Sequence, residues 1–467
     1  MNRWLVVFGA ILIQLCLGAI YAWSAYTDTL TKALDQGGEF GFTKSASQWP
    51  FSIGLATFAI VMVLAGNWQK KVGPKMVAMT GGIVLGIGYI LAGLFGKTLP
   101  AQIIFLGLIG GAGIGLAYVC PIAVGVKWFP DKKGMITGLA VAGFGFGALI
   151  WVKLAGSWGG MIENMGLLTT WLVFGIVYLV AVLIGSIWMV NPPDDYKPEG
   201  WEPPAATDAK STGGVNFDQF QMLKTPQFYM TWFCFIAGAM AGLMVIGVIK
   251  LFGIDALQVK GMDPVAAAAT AGTAMAVFYA LANGIGRIAW GMISDKIGRK
   301  MSIFLMCLIQ GIAMLLLFYV GNVTIGLFIM ATIIGFNFGG NFALYPAATA
   351  DFFGNKTVGV NYGWMFTAYG VGGLVGPQIA GIFRDIADKT SSGLMEQLES
   401  IAASLQMTMD ELKAAPTEEA ADLFRQVAEL RYEAWMSPFV IAGIVSIVAA
   451  VVILITKKPT PPEKLAE

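Results

Sequence analysis

The sequence contains no histidine in 467 residues and has only four cysteines. The lack of histidine excludes histidine-ligated metal sites, histidine general bases and histidine proton relays. The cysteines fall inside apolar runs, which is typical of small buried residues and not of disulfide partners. Charged residues make up 12% of the chain, against about 25% in a soluble domain. With a net charge of +1, the balance of charge indicates no nucleic-acid partner.

Apolar residues take the place of the missing charge and make up 57% of the chain. Runs long enough to cross a bilayer, which takes about 20 residues, recur from end to end. The first run, Trp4 to Trp23, is too long for the core of a signal peptide, so we expect it to be retained as a span. Charged residues, glycines and prolines separate twelve candidate spans, and we predict an all-α membrane protein. The spans begin near Trp4, Gln48, Met76, Ala101, Gly134, Leu167, Gln227, Pro264, Met301, Val323, Val358 and Met436.

Two polar stretches divide the spans. Residues 191–226 are rich in proline, glycine and charge, which predicts a cytoplasmic linker between a six-helix bundle at 1–190 and a second at 227–456. An insertion at about 385–434 has the periodicity of one or two short amphipathic helices. Lysine and arginine in the short loops and termini favour the cytoplasmic side by fourteen to five. The predicted protein is therefore multi-pass in the plasma membrane, with the insertion outside and both termini, including a tail at 457–467, cytoplasmic.

The chain also repeats itself at an offset of 225 residues. The stretches GNWQKKVGPK (66–75) and GMISDKIGRK (291–300) share glycine and lysine at matching positions. Duplicated halves place a cavity at their interface near the middle of the bilayer, which is typical of transporters. We therefore predict two pseudo-symmetric bundles of six helices.

The second copy resembles the inner-loop signature of the major facilitator superfamily, G-x-x-x-D-K-x-G-R-K. The first copy departs from it at Lys70 and Pro74. The resemblance implies the major facilitator fold and a conformational role for this loop. The signature residues are Gly291, Asp295, Lys296, Gly298, Arg299 and Lys300.

Three longer stretches are similar to the oxalate/formate antiporter family, a branch that also resembles monocarboxylate carriers. They are GAIYAWSAY (18–26), residues 113–150 and residues 337–370. The similarity covers the chain apart from the linker and the insertion. It implies a carrier that works by alternating access and is not an enzyme, with a small carboxylate as its substrate.

Charges inside spans are rare and are usually functional. Arg287 lies eight residues before Asp295, about 12 Å along a helix, which is beyond the comfortable reach of a snorkelling side chain. Its repeat equivalent is Met62, so the fold itself does not require a cation there. We predict that Arg287 binds the carboxylate with its planar fork, and the resemblance implies the same role; snorkelling is the alternative. The other charges in or near span ends are Lys153, Lys250 and Asp255.

Further candidates surround this arginine. Asn283 lies four residues earlier on the same helix face and could orient Arg287, touch the substrate or bond to a neighbouring helix. The resemblance implies that Tyr118 donates its hydroxyl to the anion, and Tyr21 and Tyr345 are similar candidates. For each tyrosine, packing between helices is the alternative.

The resemblance also implies how many charges the substrate carries. Oxalate carriers of this family have a lysine in the eleventh span, where this chain has Tyr369, a further candidate for binding the substrate. They also have polar residues where this chain has Ile20 and Phe144. One central cation suits one carboxylate, so we predict a monocarboxylate such as lactate, pyruvate or formate. A dicarboxylate exchanger of the oxalate/formate type and a carboxylate-binding membrane sensor are the alternatives.

The coupling mode stays open between proton symport and anion exchange. A proton symporter usually has a titratable side chain in its pathway, and the nearest candidate here is Asp255, at the edge of the seventh span. We expect no cofactor and no metal ion. The expected partners are the carboxylate, the lipid bilayer and, for symport, protons, with a monomer as the functional unit.

Overall fold

The computed structural model describes residues 2–34, 37–129, 133–193, 196, 198, 217–354 and 358–460. Their regular secondary structure is helical, without a strand. The helices are α1 (Arg3–Leu17), α2 (Trp23–Thr31), α3 (Lys44–Val72), α4 (Pro74–Phe95), α5 (Leu99–Gln102), α6 (Gly111–Trp128), α7 (Lys133–Ala155), α8 (Met161–Met165), α9 (Leu167–Ser186), α10 (Gln219–Leu223), α11 (Pro226–Val259), α12 (Pro264–Thr273), α13 (Ala280–Ile297), α14 (Arg299–Val320), α15 (Thr324–Phe353), α16 (Val358–Thr390), α17 (Ser392–Ser404), α18 (Met409–Ala414), α19 (Glu418–Glu433) and α20 (Met436–Ile455).

Within these ranges, eleven helical stretches are long and apolar enough to cross a membrane. Some of these stretches consist of more than one helix. A 3₁₀ turn joins α1 to α2, and π-helical turns lead into α6 and join α12 to α13. The predicted eleventh span, α16, is absent from this set although it has 33 residues. Its glycines, aromatic rings and polar side chains lower its hydropathy. The predicted twelve spans are therefore eleven strongly apolar stretches and one less apolar helix, which packs between α3 and α11.

The backbone confirms the internal repeat. Helices α4 and α14 begin and end at positions 225 residues apart, and α6 and α15 contain prolines at equivalent places, Pro121 and Pro346. Gly73 and Gly298 precede α4 and α14 with φ of 86° and 84° and the same ψ of 157°. Only glycine adopts this conformation readily. The two halves therefore share a backbone design down to their turns.

Two helix pairs make the most extensive contacts between the halves. Helix α7 crosses α13 where a Cβ on Gly145 would lie 3.1 Å from the Gly284 nitrogen. Helix α3 packs along α16, and a Cβ on Gly370 would lie 2.8 Å from the Ala59 side chain. Small residues let the backbones approach closely, as is usual between membrane helices. These contacts enclose a central region between the halves.

Helix α16 continues to Thr390, a few residues past the start predicted for the insertion at about residue 385. The insertion then forms three helices, α17 to α19, where the sequence predicts one or two. A capping box between Thr408 and Glu411 starts the additional short helix, α18. The three helices share a small apolar core that includes Leu398, Leu412 and Val427.

Helix α13 helps to define the two ends of the bundle. Residues near Pro264, where its span begins, line a cavity together with residues of α17 and α19. We call this the insertion end, and the opposite end, which carries the loop at Gly298, the motif end. Most of the predicted linker at 191–226 lies outside the described residues, as do residues 461–467 of the predicted tail.

Candidate functional site

Arg287 lies on α13 in the centre of the bundle and is 0% exposed. Helix α15 comes very close to α13 here, since a Cβ on Gly339 would lie 2.2 Å from the Asn283 carbonyl oxygen and 3.1 Å from the Arg287 nitrogen. Only a glycine permits this approach. The side chain does not extend towards the motif end, as snorkelling would require, but crosses to the other half.

The guanidinium group of Arg287 is held by neutral partners. Its Nε donates to Asn283 Oδ1 at 3.1 Å, and its Nη1 donates to the Val141 carbonyl of α7 at 2.8 Å. Its Cζ lies 4.0 Å from the centre of the Phe342 ring and 5.5 Å from that of Phe144, within the range of a cation–π interaction. Its Nη2 has no hydrogen-bond partner. One face of the fork therefore remains available to an acceptor.

No carboxylate neutralises this arginine within the part of the chain that the structure describes. The charged residues buried there are Arg287, Asp255 and Arg384. Two nitrogens of Arg384 lie 3.2 Å from the two Asp255 carboxylate oxygens, so these charges neutralise each other. Arg287 is thus the one buried charge among these residues that lacks a counter-ion, and an uncompensated buried charge is costly. Such a cation attracts an anion from outside.

Tyrosines 21, 118 and 369, predicted as site residues, lie around Arg287. The hydroxyls of Tyr21 and Tyr369, one from each half, are 2.9 Å apart and share a hydrogen bond. Tyr21 and Tyr118 both pack against Phe144, one of the two rings that face Arg287. Each of the three tyrosines is at most 1% exposed. The centre is therefore sealed and combines one cation with several hydroxyl groups.

Aromatic side chains form the wall of this centre. Tyr118 meets Phe58 edge-on at 5.0 Å and Phe144 at 5.5 Å between ring centroids. Tyr369 lies 5.5 Å from Phe342 and 4.9 Å from Phe366. Rings exclude water while giving only weak polar contacts, so an interaction with Arg287 is stronger here than at a surface.

The structure separates some other predicted residues from this centre. Tyr345 stacks on Phe235 with ring centroids 4.3 Å apart and ring planes 8° from parallel. This contact fits packing between helices, the alternative to substrate binding. Its hydroxyl has no hydrogen-bond partner. Lys153 lies in the last turn of α7, where its ammonium group donates to Ser157 at 3.2 Å. Asn283 contacts Arg287 directly, which fits an orienting role.

The signature loop forms its ion pairs within the C-terminal half. Arg299 lies 2.8 Å from Asp295 and 3.2 Å from Asp351, which comes from α15. It also contacts the Ser294 hydroxyl. These bonds link the end of α13 to α14 and α15. The remaining signature residues at this end are Gly291, Lys296, Gly298 and Lys300.

An ion-pair network that the sequence does not predict lies at the insertion end. Asp255 also accepts a hydrogen bond from Trp435 Nε1 at 2.8 Å. Asp388 lies 2.9 Å from Arg384 and 2.8 Å from Arg431 of α19. The spacing of Arg384 and Asp388, four residues apart in a run that can continue a helix, is the available signal. Asp255 thus lies in the last turns of α11, at the edge of the seventh span, and is buried and paired.

Apolar helices in two related halves around one buried, unpaired cation are the architecture of a membrane carrier. The chain matches the Major Facilitator Superfamily over residues 3–377. It belongs to that superfamily, which confirms the predicted fold and the predicted class of secondary transporter.

Several relatives are similar over most of their length. An uncharacterized MFS-type transporter of Escherichia coli (strain K12), YhjX, is 30% identical over 80% of this chain and 86% of the relative. The oxalate:formate antiporter of Oxalobacter formigenes is 26% identical over 80% of this chain and 83% of the relative. Apicoplast pyruvate carrier 1 of Toxoplasma gondii is 24% identical over 78% and 81%, respectively.

The fold is also similar to a solved structure. A bacterial homolog of the human lysosomal transporter Spinster, inward-facing and occupied, has a TM-score of 0.62 at 15% identity and covers 97% of this chain and 96% of that one. At that identity the similarity concerns the fold alone.

Proposed function

We propose that this carrier moves a small monocarboxylate anion across the membrane by alternating access between its two halves. Arg287 binds the carboxylate through its unpartnered nitrogen, and Asn283 holds the guanidinium in place. Tyr21, Tyr118 and Tyr369 offer hydroxyls to the same anion. The observation that carries the proposal is the burial of Arg287 without a counter-ion. The names of two relatives, an oxalate:formate antiporter and a pyruvate carrier, support a carboxylate.

The charge of the centre supports one carboxylate in preference to two. A monocarboxylate brings one negative charge, which Arg287 neutralises. A second carboxylate would be a buried charge without a partner, which costs several kcal/mol after relaxation. Tyr369 can donate a neutral hydrogen bond but cannot cancel a charge, and its hydroxyl is already engaged with Tyr21. A substrate of the lactate, pyruvate or formate type fits this centre best.

The first test combines binding and transport. Purified protein is screened by thermal shift against small carboxylates, because a ligand that binds only the folded state raises its stability. The ligand that stabilises most is then measured for uptake into proteoliposomes. We expect binding and uptake for a monocarboxylate, and loss of both in Arg287→Ala. Arg287→Lys should retain only part of the binding and uptake, because the lysine ammonium group is a point charge and lacks the planar fork of arginine.

A matched control is Lys153→Ala, which removes a cation from a span end without touching the centre. It should transport like the wild type. Normal uptake by Arg287→Ala would contradict the proposed site. Binding without uptake in the wild type would favour a carboxylate sensor.

The number of substrate charges is tested at residue 369. Tyr369→Lys adds a second cation to the centre, so we expect weaker monocarboxylate transport and, where the volume allows, binding of oxalate. Competition by oxalate is measured on both proteins. Tight oxalate binding by the wild type would favour the dicarboxylate alternative, an exchanger of the oxalate/formate type.

Coupling and orientation belong to the same proposal. Among the described residues, Asp255 is engaged by Arg384 and Trp435, so exchange, or symport in which the substrate brings the proton, suits the centre better than titration of Asp255. Uptake stimulated by unlabelled substrate inside the vesicles would indicate exchange.

We place both termini in the cytoplasm, as the lysine and arginine distribution favours. A cysteine at Ser392 should then react with an impermeant thiol reagent added outside cells.

A further inference from the structure

An aspartate of one half caps a helix of the other half at the insertion end. The Asp385 carboxylate of α16 accepts from the backbone nitrogens of Lys44 at 2.6 Å and of Ser45 at 3.0 Å, and it contacts the Ser45 hydroxyl. These donors are at the first turn of α3. Helix starts have unsatisfied N–H groups and a positive partial charge. A carboxylate there makes charge-assisted hydrogen bonds, which belong to the stronger class.

The position of Asp385 is fixed from both sides. Its neighbour Arg384 pairs with Asp255, and Asp388, one turn further on, lies 2.8 Å from Arg431 of α19. A Cβ on Gly381 would lie 2.8 Å from the Ser45 Cα, so the two helices touch at this point. The end of α16 is thus tied to α11 and to the insertion while it holds α3.

A second contact between the halves at this end is weaker. Lys250 of α11 lies 3.3 Å from Asp28 of α2, but the Asp28 side chain is 56% exposed. Exposed ion pairs contribute little because water screens them. The Asp385 contact is partly buried, and it therefore contributes more than the Lys250–Asp28 pair to holding the halves together at this end.

We infer that Asp385 is a gating residue that closes the insertion end of the carrier by capping α3. Alternating access requires the halves to separate at one end while they approach at the other. Because the donors belong to one half and the carboxylate to the other, opening the insertion end breaks these bonds. The insertion contributes to this closure because its Arg431 holds the end of α16 in place. This role does not depend on which substrate the centre binds.

Two positions on α3 can report the state of the two ends. Ser52 lies two turns after Ser45 on the same face of α3 and is buried. Val63 lies further towards the motif end, where a Cβ on Gly363 of α16 would be 3.4 Å from its Cα. The four natural cysteines are all buried. Single variants Ser52→Cys and Val63→Cys therefore report on separate ends through their rates of reaction with a polar maleimide.

The test adds Asp385→Asn to each reporter in the purified full-length protein. We expect Ser52→Cys to react roughly fivefold faster or more, as follows from losing charge-assisted hydrogen bonds, and Val63→Cys to react at the same rate or more slowly. Ser45→Ala, which removes one contact, should give a smaller increase at Ser52→Cys. The control Glu396→Gln removes an exposed acid of α17 at the same end of the bundle and should change neither rate.

An unchanged rate at Ser52→Cys would overturn the inference. A rise at both reporters would overturn it as well, because general loosening of the structure, and not opening of one end, would be the cause. A faster reaction at Ser52→Cys without a faster reaction at Val63→Cys distinguishes a gating residue from one that only stabilises the fold. Since no substrate is added, the result is separate from the test of Arg287.

Discussion

The two halves share a backbone but differ in chemistry at equivalent positions. Arg287 of the C-terminal half corresponds to Met62 of the N-terminal half, and both are buried. Tyr369, which hydrogen-bonds across the interface, corresponds to Phe144, which gives only its ring. The Asp295 that pairs with Arg299 corresponds to Lys70. The repeat therefore conserves helix geometry, while the buried charges of the described residues all lie in the C-terminal half.

Because of this asymmetry, the two halves contribute different groups to the central site. The C-terminal half supplies the cation and Asn283, which accepts a hydrogen bond from it. The N-terminal half supplies an acceptor, the Val141 carbonyl, and a wall of rings that includes Phe58 and Phe144. One buried cation suffices for one carboxylate, and a second in the other half would only add a desolvation cost.

The largest expected effect follows from exchanging the two equivalent residues. In the double variant Arg287→Met with Met62→Arg, the cation moves to the N-terminal half while Asn283 and the Val141 carbonyl stay in place. We expect carboxylate uptake to fall roughly a hundredfold or more, because two hydrogen bonds to a charged group contribute about 1.5–3 kcal/mol each. Uptake into proteoliposomes measures the effect, with Met62→Arg alone as the control. Uptake near the wild-type rate would show that the halves are interchangeable.

The next effect concerns stability at the insertion end, where a buried pair in the C-terminal half is compared with an exposed pair between the halves. Arg384→Ala leaves Asp255 buried with Trp435 as its remaining partner, which should destabilise the fold by ~3–5 kcal/mol. Lys250→Ala removes the partner of Asp28 and should cost at most ~1 kcal/mol. Thermal unfolding of the purified proteins measures both.

A neutral pair sharpens this comparison. In the double variant Asp255→Asn with Arg384→Gln no charge is left unpaired, so we expect it to unfold at a higher temperature than Arg384→Ala. Equal unfolding temperatures for Arg384→Ala and Lys250→Ala would mean that burial of the pair is unimportant.

The sequence predicts the fold well because its signals are local and repeated. Apolar runs of fixed length and a signature at an offset of 225 residues need no knowledge of tertiary contacts. Arg287 could be found because a charge within an apolar run is conspicuous. The repeat adds that Met62 lacks it, so the cation is not required by the fold.

Other parts of the site depend on tertiary contacts that local patterns do not contain. The Val141 carbonyl, which binds Arg287, carries no side-chain signal. Asp255 and Arg384 are 129 residues apart, and their pairing depends on how far α16 continues. The direction of Tyr345 is set by the rotation of α15 against its neighbours. Helix rotation, helix length and backbone acceptors are therefore what the structure adds.

The smallest expected effect concerns the two rings that face the cation, one from each half. The Arg287 Cζ lies 4.0 Å from the centre of the Phe342 ring and 5.5 Å from that of Phe144. A desolvated cation–π contact contributes about 0.5–2 kcal/mol and weakens with distance. Phe342→Leu removes the closer ring, which frees the guanidinium to leave its position, so we expect the half-saturation constant for the transported carboxylate to rise about threefold to tenfold. Phe144→Leu is the matched control, because it removes a ring of the same size at the longer distance and should raise the constant less than about twofold. Equal increases would show that loss of packing, and not the position of the cation, determines affinity, and a larger increase for Phe144→Leu would assign the main contact to the N-terminal half.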